Sequence, residues 1–88
     1  MKLKKDFVLR QVADAWVVVP VGQAMLDFNG MLTLNESGAF LWNALEKGVD
    51  QEALVRTLTA EYDVPESVAR EDIAEFLAKL EKAGCMER

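Results

Sequence analysis

The stretch that most constrains this chain is Leu34-Asn35-Glu36-Ser37-Gly38-Ala39-Phe40-Leu41-Trp42, where the pattern of apolar residues changes period. Before it, apolar residues come in short runs and alternations. After it, they recur at helical spacing to the end of the chain. Asn35 stands at the change. Its short side chain can accept from the free N–H groups of a first helical turn, which makes it an N-cap. Glu36 follows where the helix dipole favours negative charge. Gly38 is unfavourable inside a helix by about 1 kcal/mol relative to Ala, least so near the start, and it allows another backbone to come close. Ala39, Phe40, Leu41, Trp42, Ala44 and Leu45 make a face too wide for a lone surface helix, so this helix is expected at the centre.

The chain in front of it reads as strands. Phe7 to Ala13 alternates imperfectly but is rich in β-branched and aromatic residues. Asp14 is a turn residue, and Trp16-Val17-Val18-Val19 is a second strand stopped by Pro20. Ala24–Phe28 and Met31–Leu34 flank Asn29-Gly30, a hairpin signal because both residues tolerate positive φ. The chain behind reads as three helices. The first runs from about Glu36 to Lys47 and stops at Gly48. Asp50 caps the second, whose stripe is Leu54, Val55, Leu58 and Tyr62. Pro65 suits the first turn of the third, whose stripe is Val68, Ala69, Ile73, Phe76, Leu77 and Leu80, closed by Gly84. The expected fold class is therefore α+β. An N-terminal antiparallel sheet of three or four short strands is followed by three helices in a winged-helix-like arrangement, and residues 1–88 form a single domain.

Composition removes several functions. The chain has 88 residues, 51% of them hydrophobic and 28% charged, which is globular rather than disordered. With no His and one Cys, a His-based acid/base pair, a zinc site and an internal disulfide are not expected. Asp27, Asp50, Asp63 and Asp72 lack neighbours that would make a catalytic or metal site. They read as cap, turn or solvated-face residues, so no enzyme activity and no cofactor are expected. Cys85 has no His to activate it and reads as a small semi-buried residue. Phe40, Trp42, Tyr62 and Phe76 read as core rather than as a stacking platform. A net charge of −5 argues against nucleic acid, and the third helix is itself acidic. No apolar run approaches a membrane span, none of signal length follows Lys2, Lys4 and Lys5, and the lone Cys fits a reducing compartment, so the cytoplasm is expected.

Binding remains. A small open sheet leaves a strand edge with unpaired N–H and C=O groups, which an extended peptide can join while a flanking helix supplies pockets. Met25, Met31 and Met86 add adaptable apolar surface. The same edge could instead be covered by the chain's own N-terminus or by a second copy in a homodimer.

Leu34 to Trp42, together with Glu61-Tyr62-Asp63-Val64 and Asp72-Ile73-Ala74-Glu75-Phe76-Leu77-Ala78-Lys79-Leu80, resembles the two sequence blocks of the PqqD family. The resemblance covers about residues 5–86. It implies a RiPP recognition element, which binds the leader of a ribosomally made precursor peptide and presents the core to a modifying enzyme, often a radical S-adenosylmethionine enzyme. In that family the leader adds as a strand beside the last strand before the helices and lies against the third helix. Carried onto this chain, the peptide-binding residues are Met31, Leu32, Thr33, Leu34, Ile73, Leu77 and Leu80. Family members commonly carry a larger apolar residue where this chain has Cys85. The Ala24–Phe28 segment and its Asn-Gly turn mark a relative of the founding protein rather than that protein. The alternatives are a winged-helix DNA-binding regulator and a protein-only scaffold or oligomerisation module.

Overall fold

The structure is a computed structural model that describes residues 2–22 and 32–87. The chain order is β1 (Lys2–Leu3), β2 (Phe7–Val12), β3 (Ala15–Pro20), β4 (Leu32–Leu34), α1 (Glu36–Glu46), α2 (Gln51–Glu61), α3 (Glu66–Lys82) and β5 (Met86–Glu87). The α+β class and the three helices stand as the period change at Asn35 requires. The Asn29-Gly30 hairpin and the Ala24–Phe28 strand lie outside the described residues.

Among the described residues two antiparallel sheets form. In the larger, β3 lies between β2 and β4. Val12 pairs with Ala15, so Ala13 and Asp14 alone make the turn. The left-handed residue of that turn is Ala13, at φ 55°. On the other side β3 meets β4, with Trp16 opposite Leu34, Val17 opposite Thr33 and Val18 opposite Leu32. The smaller sheet joins β1 to β5, Leu3 opposite Met86, and ties the front of the chain to its end. Two-residue strands carry no readable period, which is why this sheet was not expected from the sequence.

The helix ends follow their local chemistry. Asn35 Oδ1 accepts from the Gly38 N–H at 2.8 Å, and Asp50 Oδ1 accepts from the Ala53 N–H at 2.8 Å. Pro65 stands one position earlier than expected, as the N-cap of α3, with no side-chain hydrogen bond. At the far end Gly84 has φ 80°. Its N–H donates to the Glu81 carbonyl and that of Cys85 to the Leu80 carbonyl, both at 3.0 Å. This double closure turns the chain back, so that Cys85 enters the core and β5 reaches β1.

Trp42 is the largest fully buried side chain and sits with Leu45, Leu54, Ile73, Leu80 and Val18 in one core. α1 is thus the central helix, packed against β1, β4 and α2, and it shares its core with α3. Phe40 is half-buried and meets Tyr62 edge-on, ring centres 5.6 Å apart.

Candidate peptide-binding groove

Among the described residues β4 is an edge strand, because β3 covers only one of its sides. The turn of two residues at Ala13 and Asp14 sets the hydrogen-bonding phase of the sheet. Val12 and Ala15 must exchange hydrogen bonds, as must Arg10 and Val17 two residues on. Val17 therefore spends its backbone groups on β2, and its partner Thr33 faces the other way. The Lys79 Nζ confirms this direction, since it donates to the Thr33 carbonyl at 3.1 Å from α3. The N–H and C=O of Thr33 both point into the space between β4 and α3.

That space is a groove of about 900 Å³. Its floor is apolar, made by Leu34, Leu41, Leu58 and Phe76, with half-buried Tyr62 and Val64 beyond them. Asp72, Glu75 and Lys79 line it from α3, and Glu36 lines it from the start of α1. The end of β4 can press against α1 because residue 38 is a glycine. A Cβ there would lie 3.1 Å from Asn35 Oδ1 and 3.3 Å from Leu34 Cβ.

The residues assigned by family resemblance divide. Thr33 and Leu34 are in the groove, Thr33 by its backbone and Leu34 by its side chain. Leu32 is half-buried against the core, on the same face of β4 as Leu34. Met31 lies outside the described residues. Ile73 and Leu80 are 0% exposed and belong to the core. Leu77 is half-buried on the far flank of α3, in a shallow depression with Ala74, Ala78 and Met86. The reason is helical phase. At 3.6 residues per turn, Ala69, Ile73, Phe76 and Leu80 form the buried line. Asp72, Glu75 and Lys79 fall on one margin of that line and Leu77 on the other. Sequence reasoning missed the first margin because its residues are charged. The signal available was their spacing of three and four beside an apolar stripe.

Away from the groove, Arg70, Glu52 and Glu66 form an exposed charge cluster. Arg70 grips Glu52 with two hydrogen bonds of 2.9 Å, joining α3 to α2, and contacts Glu66 one turn back. That fork lowers the carboxyl of Glu52 and raises the guanidinium of Arg70 from their ordinary pKa values. Both are exposed, where ion pairs contribute little to stability. Cys85 is fully buried, and desolvation pushes its thiol up to about 11. Among the described residues no group of three or more His, Cys, Asp or Glu could hold a metal ion. Among them, too, no helix is long and apolar enough to cross a membrane.

A family model described as Coenzyme PQQ synthesis protein D (PqqD) matches residues 16–86. The chain belongs to the PqqD family. The match takes in β3, β4, all three helices and the groove between β4 and α3. No curated protein matches this PqqD-family chain. Among solved structures it is similar to TbiB1 in complex with the TbiA(beta) leader peptide. The two are 26% identical, with 99% of this chain and 95% of that one covered and a TM-score of 0.80. It has the same fold as a lasso peptide synthetase B1 complexed with the leader peptide. There the identity is 23%, the cover 99% and 96%, and the TM-score 0.78.

Proposed function

We propose that this PqqD-family protein is a non-catalytic adaptor that binds the leader of a ribosomally made precursor peptide by strand addition. The observation that carries the reading is the outward-facing backbone of Thr33, set over an apolar floor between β4 and α3. An extended peptide has what such a site asks for. Its backbone completes the ladder, and alternate side chains fall to one face, onto Leu34, Phe76 and Tyr62. The similarity to TbiB1, a protein solved with a leader peptide, supports the same conclusion. Held there, the leader raises the effective concentration of its core peptide at a modifying enzyme, for which a radical S-adenosylmethionine enzyme is our assignment. We place this work in the cytoplasm. Of the residues first assigned, Thr33 and Leu34 stay in the proposed contact set. Phe76, with Asp72, Glu75 and Lys79 at the rim, takes the place of Ile73, Leu77 and Leu80.

The test is a nitrogen-15 NMR titration with the leader region of any short peptide encoded beside this gene. Shift changes gathered on Thr33, Leu34, Val64 and the Asp72–Lys79 segment are expected, with an affinity of about micromolar, roughly −8 kcal/mol. Saturating peptide that leaves those amides unmoved, with the neighbouring enzyme present as well, would sink the reading. A second copy of this chain is the competing occupant of the edge. Sedimentation at rising concentration, with and without leader, separates the two.

A further inference from the structure

We propose that Lys79 is a latch on the docking edge. Its ammonium holds, on the Thr33 carbonyl, the hydrogen-bond position that an incoming leader strand must take, and Glu75 receives it when the leader displaces it. The inference rests on the adaptor reading above.

The geometry is specific. Lys79 Nζ lies 3.1 Å from the Thr33 oxygen, across 46 residues of sequence. A strand joining β4 would run about 4.8 Å from it and place its own N–H on that same oxygen. The two donors compete for one outward acceptor. Charged side chains, Lys above all, are a known guard of open strand edges, and here the guard is seen engaged. Lys is suited to letting go again, because its charge sits on a flexible four-carbon stem.

A latch needs somewhere to go. Among the described residues Lys79 makes no ion pair while it holds Thr33. Glu75 stands four residues before it on the same helix, lines the same groove and is exposed. Glu before Lys at this spacing is the favourable order for a helical pair. The ammonium therefore has one partner when the edge is closed and another when it is open. Both states keep the charge satisfied, which keeps the exchange reversible.

The test compares leader affinity by calorimetry in the unaltered protein and in Lys79→Met, which keeps the length and apolar stem of the side chain but cannot donate. The leader is the peptide named above. Lys79→Met should bind it about three- to tenfold more tightly, the effect of removing one competing hydrogen bond. Glu75→Gln should weaken binding about twofold, as the loss of a helical ion pair does, and should have no effect in the Lys79→Met background. Equal or weaker binding by Lys79→Met overturns the latch. A Glu75→Gln effect that persists in the double variant overturns its receiving role. A further arm uses no leader: the Thr33 carbonyl carbon shift in the free protein should move on Lys79→Met, and an unmoved shift also overturns the latch. Failure of the unaltered protein to bind leader while that shift responds overturns the adaptor reading, and the docking role of the latch with it.

Discussion

At the scale of single residues, the junction between sheet and helices depends on Asn35 and Gly38 acting together. Asn35 caps α1 through the Gly38 N–H, and the missing side chain at Gly38 leaves room for both the cap oxygen and Leu34. Asn35→Ala should lower stability by about 1 kcal/mol, read from urea unfolding midpoints. Gly38→Ala sets two effects against each other. Helix propensity favours Ala by about 1 kcal/mol, but a new Cβ 3.1 Å from the cap oxygen must push that oxygen off its hydrogen bond. Loss of the cap removes the gain, so Gly38→Ala should be no more stable than the native protein; a clear rise in the midpoint would show that the cap can yield freely. Ala13 is the opposite case, a side chain where glycine fits better. At φ 55° it holds a conformation that costs an L-residue about 1 kcal/mol, and its turn is exposed. Ala13→Gly should therefore hold or raise the melting temperature, whereas Ala13→Val should lower it.

At the scale of elements, β4 is short but is the strand on which the proposed function turns. Its inner edge is committed to β3 through Leu32 and Leu34, and its outer edge is Thr33. Proline is tolerated in an edge strand when its missing N–H faces away from the ladder. Thr33→Pro should thus keep the native circular dichroism spectrum while weakening leader binding about tenfold, through one lost hydrogen bond and the bulk of the ring. Unchanged affinity in the folded variant would mean the leader does not use this edge. The elements differ in how legible they were. Helix starts and stops at Asn35, Asp50, Gly48 and Gly84 could be read because caps are local chemistry. The groove wall could not. The stripe on α3 contains the buried residues Ala69, Ile73, Phe76 and Leu80, but its Val68 is exposed, and it does not tell which of its two margins meets the sheet. Lys79 and Thr33 are brought together by the packing of the third helix on the second and of the second on the first. Phe76 was named as core, and it is, yet its ring also forms the groove floor.

For the whole molecule, closure depends on the chain's two ends. β1 and β5 pair, the Lys4 N–H donates to the Cys85 carbonyl at 2.8 Å, and the Cys85 side chain is sealed beneath them. A thiol in that position must stay neutral, and burial raises its pKa to about 11 from an ordinary 9.0. The consequence for folding has a definite sign. Below pH 9 the thiol is neutral in both folded and unfolded chains, and its buried contribution is complete. Above pH 9 the unfolded chain releases its proton while the folded one retains it, so alkali favours unfolding until the folded thiol also ionises near pH 11. The urea midpoint should therefore fall as pH rises from 9 to 11. The same series on Cys85→Ala isolates the thiol: its fall should be shallower, from a lower starting stability caused by the cavity. A thiol reagent gives an independent readout at pH 8, where the native protein should react only as fast as it opens and the unfolded chain at once. Prompt reaction in native buffer, or equal pH slopes for the two proteins, would mean that the joined ends leave Cys85 open to water and that the seal between β1 and β5 is not what closes the core.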